Sequence, residues 1–227
     1  MIELKNLTKI YSEGNSSNTV MKDLNYNFVK GKIYVMFGRS GSGKSTLLNL
    51  ISGIDVPTSG SIIINNQDIC GMNELNRTLF RRNNIGFIFQ FFNLIPTLTV
   101  LENLLLPLEL VGKVGKNEIN KAKELLDSVG LIHKENTFPD RLSGGEQQRI
   151  AIARSLIHEP KIILADEPTG NLDYETGMQI INLLDKLIRQ QNKMMIMATH
   201  SREVMGLADK IISLKDGKIT ETDNLVN

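Results

Sequence analysis

The sequence predicts an α/β fold: a mainly parallel sheet with crossover helices, an antiparallel β region at its start and a helical insertion. Three observations carry this. Short apolar runs alternate with longer helical patterns along much of the chain. Two of those runs, 162–165 and 194–198, are apolar throughout, as strands covered on both faces are. The stretch 91–158 shows no strand pattern and several helical ones.

Taken in order, the first 35 or so residues read as antiparallel β, with the turn-rich Ser12-Glu13-Gly14-Asn15-Ser16-Ser17-Asn18 as a hairpin loop. A strand over 32–37 runs into a glycine-rich turn and a helix over 44–52. The turn Pro57-Thr58-Ser59-Gly60 precedes a short strand over 61–65, and 65–69 looks antiparallel again. A strand follows over 85–90, and helices are expected over 116–129, 145–158, 175–190 and 202–208. With no internal repeat or low-complexity linker, the simplest organisation is one domain over 1–227. Its core with the antiparallel subdomain takes about 1–90 and 159–227, and its helical insertion about 91–158.

Composition narrows the functional classes. A chain of 227 residues buries a substantial core, and 41% hydrophobic with 22% charged residues is ordinary for a globular protein. Lys plus Arg is 26 against 25 for Asp plus Glu, a net charge of +1, which argues against a nucleic-acid partner. The single cysteine, Cys70, allows no internal disulfide and fits a reducing compartment. The N-terminus lacks a basic segment followed by an apolar one, so no signal peptide is expected. The longest apolar stretches fall far short of the roughly 18 residues a membrane span needs, so a membrane role must come through a partner.

The chemistry begins at Gly38-Arg39-Ser40-Gly41-Ser42-Gly43-Lys44-Ser45-Thr46, which matches G-x-x-x-x-G-K-[ST] between an expected strand and helix. Glycines let the backbone curl so that successive N–H groups face one concavity, and the helix N-terminus adds a positive dipole end. Lys44 then reaches the β- and γ-phosphates of a nucleotide, and the Ser45 hydroxyl can ligate Mg²⁺. Asp166 closes a buried apolar strand, where a carboxylate contacts the same Mg²⁺, and Glu167 is placed to polarise an attacking water. Mg-ATP binding and hydrolysis follow as expectations.

The segment Leu142-Ser143-Gly144-Gly145-Glu146-Gln147-Gln148-Arg149 separates this chain from other phosphate-loop proteins. Read locally it is a helix start, with Ser143 as N-cap and Glu146 completing a capping box. That leaves two consecutive glycines in the first turn unexplained, at about 1 kcal/mol of helix stability each. Close backbone approach to an anion explains them, and gives the chain a second anion-binding helix N-terminus.

On these motifs the sequence resembles the nucleotide-binding subunits of ABC transporters over essentially its whole length, which implies an ABC ATPase fold. The resemblance implies that Ser143, Gly144 and Gly145 contact ATP held by another subunit, so that two ATP molecules are sandwiched in a head-to-tail homodimer. It implies further that Tyr11 stacks on adenine, that Gln90 touches Mg²⁺ or the water, that Asp173 in Asn171-Leu172-Asp173 crosses the dimer interface, and that His200 hydrogen-bonds the γ-phosphate. Gly38, Ser40, Gly41, Gly43 and Thr46 complete the nucleotide contacts. His133 and His158 have no such match and are expected at the surface. The implied partner is an integral membrane permease, and the implied place is the cytoplasmic side of the membrane.

The aromatic and apolar stretch from Phe91 to Asn103 reads either as a buried loop or as a groove for a cytoplasmic helix of that permease. Together with Leu164-Ala165-Asp166-Glu167-Pro168-Thr169-Gly170-Asn171-Leu172-Asp173 it resembles the branch of macrolide exporters, lipoprotein-release machines and antimicrobial-peptide resistance transporters. A cell-division signalling ATPase is the alternative within that branch. Soluble ABC ATPases acting on DNA or ribosomes are a second class, but the long coiled coils or paired domains they carry are not seen here. A phosphate-loop kinase is a third class and has no use for the Ser143 helix.

Overall fold

The computed structural model describes residues 1–14, 16–215 and 217–222. In chain order the strands are β1 (Ile2–Glu13), β2 (Ser16–Phe28), β3 (Ile33–Phe37), β4 (Ser59–Ile64), β5 (Gln67–Asp68), β6 (Ile85–Ile88), β7 (Ile162–Asp166), β8 (Met194–Thr199), β9 (Lys210–Lys215) and β10 (Lys218–Thr222). The helices are α1 (Lys44–Ser52), α2 (Glu74–Asn84), α3 (Val100–Glu109), α4 (Lys116–Ser128), α5 (Gly144–Leu156) and α6 (Tyr174–Gln190).

Two sheets form. One is antiparallel, in the order β2-β1-β4-β5. The other runs β10-β9-β3-β8-β7-β6, parallel from β9 to β6 with β10 antiparallel at its edge. Alternation along β3 shows why it is buried on both faces. Tyr34 and Met36 join α1 and the antiparallel sheet in one apolar core, whereas Ile33 and Val35 join the helical side in another. Helix α1 therefore lies between the sheets, with Leu47, Leu48, Leu50 and Ile51 fully buried. Because β3, β6, β7 and β8 are parallel, their carboxyl ends lie along one side of the sheet, the side on which ligands of such sheets bind.

Several elements differ from the sequence reading for identifiable reasons. The expected hairpin loop at 12–18 is mostly strand, since Ser12 pairs with Ser17 and Glu13 with Ser16; Asn15 lies outside the described residues. Polar residues on an exposed ribbon pair through backbone alone, which turn propensity does not register. Strand β6 stops at Ile88, leaving Gln90 two residues past its end, where Phe89 has stacked on Phe87 with ring centroids 4.3 Å apart. The segment expected as a helix over 202–208 is a short 3-10 turn, Glu203–Leu207. Helix α2 was not legible because Phe80 is its one buried residue, so no apolar stripe marks it.

His158 is half-buried rather than at the surface, its Nε2 lying 3.1 Å from the Ile85 carbonyl. Burial pushes its pKa down. The end of α5 presses against β6 there: a side chain at Gly86 would put its Cβ 2.2 Å from the Ser155 carbonyl oxygen. His133 is exposed, as the sequence suggested.

No helix among the described residues is long and apolar enough to cross a membrane.

Candidate functional site

Helix α1 begins without the protection other helices have. Asn73, Thr99, Ser143 and Asp173 each cap a helix with a side-chain oxygen. Gly43, the N-cap of α1, has no side chain to offer, and the first turn of α1 carries no acidic residue. Gly43 sits at φ +93, a backbone conformation that a side chain would oppose. The uncapped N–H groups and the positive dipole end thus open into a cleft, the arrangement that receives phosphate.

That cleft, about 550 Å³, is lined by Arg39, Ser40, Gly41, Gly43, Lys44, Ser45, Thr46, Gln90, Glu167 and His200. Lys44 is 6% exposed, and its ammonium donates to the carbonyls of Gly38 at 2.9 Å and Arg39 at 3.0 Å. The loop's own carbonyls thereby hold its charge in the cradle.

Ser45 Oγ donates to Asp166 Oδ1 at 3.0 Å, joining the first residue of α1 to the end of β7. Two hard oxygen donors at that spacing, with the Gln90 side chain on the same cleft, suit Mg²⁺, which prefers oxygen ligands. Burial pushes the Asp166 pKa up; the Ser45 hydroxyl pulls against this, and the neighbouring Glu167 adds to it.

Glu167 follows at φ +46, a left-handed conformation uncommon for a glutamate. Its backbone is held there by Glu167 N donating to the Ala198 carbonyl at 2.9 Å and by Gly170 N donating back to Glu167 at 3.0 Å. Strain fixed in this way is characteristic of functional positions. The turn swings the carboxylate away from Asp166 and toward β8, where Glu167 Oε1 meets His200 Nδ1 at 2.9 Å. The His200 backbone N–H reaches the other oxygen at 3.4 Å.

Gln90 packs on Gly170, where a Cβ would lie 3.0 Å from its Nε2, and its carbonyl accepts from Asn171 Nδ2 at 3.0 Å. The strand ends of β3, β6, β7 and β8 thus supply Lys44, Gln90, Asp166 with Glu167, and His200 to one place.

Other sequence candidates lie elsewhere. Tyr11, on β1, is 41% exposed and donates its phenol proton to Asp55 Oδ2 at 2.8 Å. Asp173 caps α6 by accepting from Thr176 N at 2.9 Å, and lines a neighbouring cavity of about 260 Å³ that shares Glu167 and His200 as a wall. Ser143, Gly144 and Gly145 do not line the cleft. Their helix start is closed on itself: Ser143 N donates to Glu146 Oε2 at 2.8 Å, and Glu146 N donates to Ser143 Oγ at 3.2 Å. Lys134 pairs with Glu146 at 3.0 Å and offsets the negative charge at that helix start.

The glycines there answer to packing within the chain. A Cβ on Gly145 would come within 2.4 Å of Thr176 Cγ2, and one on Gly144 within 3.3 Å of Leu172 Cδ2.

Residues the sequence reading passed over also hold the site. Gln148, fully buried, donates to the Pro168 carbonyl at 2.6 Å and ties α5 to the loop behind Glu167. Arg154 donates to the carbonyls of Phe92 and Asn93 at 3.0 and 2.7 Å, tying the segment after Gln90 to the same helix. Their apolar helical surroundings were the available signal, since a Gln or Arg at an inward position requires a partner.

The segment after Gln90 divides. Leu94 packs on the helical core, whereas Phe91 and Ile95 are exposed. An apolar groove of about 420 Å³ opens beside it, with Ile54, Phe87, Phe89, Leu106, Pro107 and Leu110 among its walls and Arg81, Arg82, Arg154 and His158 around them.

Comparison with known proteins agrees with this geometry. The family pattern described as ABC transporter matches residues 21–170. The ATP-binding protein LolD of a lipoprotein-releasing system in Rickettsia bellii is 46% identical over 219 residues, covering 96% of this chain and 97% of that protein. The putative hemin import ATP-binding protein HrtA of Staphylococcus haemolyticus is 39% identical over 218 residues, covering 96% and 98%. Among solved structures, a dimeric post-hydrolysis state of an ATP-binding cassette bound to ADP and Pi superposes with a TM-score of 0.88 at 43% identity, covering 98% of each chain.

The raised pKa of Asp166 has a testable consequence. Its ionised form is disfavoured in the folded chain relative to the unfolded one, so native stability is reduced above the raised pKa and regained as pH falls through it. Asp166→Asn is expected to raise the melting temperature of the nucleotide-free protein at pH 8, with the difference from wild type shrinking on acidification.

Proposed function

The chain belongs to the ABC transporter ATP-binding family and is an ATPase subunit, and from that premise we propose how its residues work and what they drive. The observation that carries the reading is the gathering of Lys44, Gln90, Glu167 and His200 around the uncapped start of α1, with the Ser143 helix absent from the same cleft.

The γ-phosphate is held by the N–H groups of the loop from Gly38 to Gly43 and by Lys44, which exchanges its carbonyl partners for phosphate oxygens. Ser45, Asp166 and Gln90 would hold Mg²⁺, which when bound would supply positive charge to offset that of the phosphates. Glu167 accepts the proton of the attacking water as its oxygen bonds to phosphorus and the bond to the β,γ-bridging oxygen breaks, releasing ADP and phosphate. His200 holds that carboxylate in position and reaches the γ-phosphate. Tyr11 stacks on adenine.

Within one chain the Ser143 helix does not line the cleft that takes the γ-phosphate. A second copy arranged head-to-tail supplies Ser143, Gly144 and Gly145 to each cleft, with Asp173 at the junction. The dimeric cassette with ADP and Pi supports this pairing. Closure of the pair around ATP, and its release after hydrolysis, is the mechanical output.

The output passes to an integral membrane permease, which places the chain on the cytoplasmic face of the membrane as a peripheral subunit. The groove between Phe87, Phe89 and Leu110 takes a cytoplasmic segment of that permease. Its lining carries arginines and no carboxylate, which suits an apolar segment bearing acidic residues. The segment 91–158 is the helical part of a single ABC ATPase domain, and moves with that contact. Likeness to LolD, of a lipoprotein-releasing system, supports an exporter of lipoproteins, with peptides or antibiotics as the other cargo of the branch the sequence resembles, whereas HrtA is named for hemin import.

Glu167→Gln is expected to lower steady-state ATP turnover at least about 100-fold, the scale of a lost general base, and to accumulate an ATP-bound dimer by light scattering. A mutant that turns over normally removes Glu167 from the mechanism. In a reconstituted complex with its permease, Leu110→Glu is expected to abolish permease-stimulated turnover while the basal rate of the isolated chain is unchanged. Retention of the stimulation excludes the groove as the contact.

A further inference from the structure

Tyr11 is not a free-standing side chain. Its phenol donates to Asp55 Oδ2 at 2.8 Å, and the Thr46 side chain on the first turn of α1 is the phenol's second polar neighbour. The other carboxylate oxygen of Asp55 accepts from Lys9 Nζ at 2.7 Å. Lys9 also donates to the Val56 carbonyl at 2.8 Å. Its side chain is 10% exposed, and its ammonium stands 4.6 Å from the centroid of the Tyr11 ring.

One face of the ring is thus occupied by a buried cation, while 41% of the residue remains exposed. Asp55 is in turn fastened to α1: Asp55 N donates to the Asn49 carbonyl at 3.2 Å, and Ile54 N to the same oxygen at 3.0 Å.

We propose that Lys9 and Asp55 are positioning residues for adenine, clamping the Tyr11 ring at a fixed angle to α1 so that the base platform and the phosphate cradle are set by one helix. The clamp rests on the reading of Tyr11 as the adenine platform and adds to it.

A hydrogen bond to an ionised acceptor is stronger than one between neutral groups, so Asp55 fixes the phenol better than water does. Lys9 satisfies the second oxygen, which leaves the carboxylate one orientation. A cation on one face draws electron density from the ring, which favours stacking of an electron-rich base on the opposite face. A ring ordered in advance loses less entropy when the nucleotide binds. The same clamp explains why a lysine is buried on β1, where an unpaired ammonium is costly.

The test is Mg-ADP binding to the full chain by calorimetry, with Asp55→Ala, Lys9→Met, Tyr11→Phe and Tyr11→Ala. Stacking of a base on an aromatic ring predicts that Tyr11→Ala weakens ADP about tenfold or more. Asp55→Ala and Lys9→Met are expected to weaken it about threefold to tenfold, and Tyr11→Phe, which keeps the ring and loses only the phenol bond, by about threefold.

The double variant Tyr11→Ala/Asp55→Ala is expected to bind no more weakly than Tyr11→Ala alone, because without a ring there is nothing to position. A purely structural role for Asp55 predicts the opposite: an equal loss in both backgrounds, which overturns the clamp. Unchanged affinity in Lys9→Met and Tyr11→Phe also overturns it, even if Asp55→Ala is too unstable to measure. If Tyr11→Ala itself leaves affinity unchanged, the adenine platform reading fails, and that result is distinct from failure of the clamp.

Discussion

The structure depends on the uncapped N-terminus of α1. A helix start leaves four backbone donors without partners, and those of α1 open into the cleft at the strand ends. Here no side chain answers them, because Gly43 cannot and the first turn holds no acid. The free energy left unrecovered at this point is what an anion recovers on binding. The apolar faces of α1 serve the same end, since Leu47, Leu48, Leu50 and Ile51 hold the helix rigidly enough for its first turn to be a fixed site.

Around that fixed turn, the parallel sheet supplies chemistry by position. The ends of β3, β6, β7 and β8 lie together, so residues far apart in sequence arrive with little loop to order. Asp166 and Glu167 are adjacent in the chain yet face different partners, Ser45 and His200 respectively, because the left-handed backbone at Glu167 turns the chain there. Separating two carboxylates in this way gives each its own partner and its own chemistry. The Ser143 helix start has its own cap closed and its acid paired to Lys134, and it does not line the chain's own cleft.

How much of this was legible in the sequence follows from the same physics. Strands β3, β7 and β8 show as continuous apolar runs because both their faces are covered, and the phosphate loop shows because its spacing admits few other uses. Helix α2, with one buried residue, and the edge strand β10 carry little signal, and β9 is masked because polar Lys210, Ser213 and Lys215 interrupt its buried Ile211, Ile212 and Leu214. Lys44, Ser45, Asp166 and Glu167 could be read from motif and strand end. Tyr11, Gln90 and His200 could be read only through family resemblance, since a lone residue after a strand has no distinctive pattern. Lys9 and Asp55 were invisible: they meet across 46 positions, and nothing local to either records the other. The two glycines of the Ser143 helix suggest room for an anion in the sequence, whereas the structure shows Gly145 making room for Thr176, a contact that no local pattern records.

The central claim is that each catalytic cleft is completed by the Ser143 helix of a second copy. Mixing two inactive variants, Lys44→Ala in the cleft and Ser143→Arg at the helix start, tests it most directly through ATP turnover. Random pairing places one intact site in each mixed dimer, so the mixture should recover up to about a quarter of the wild-type rate. A mixture no more active than its separate components would show that the Ser143 helix acts within its own chain, and would contradict the account.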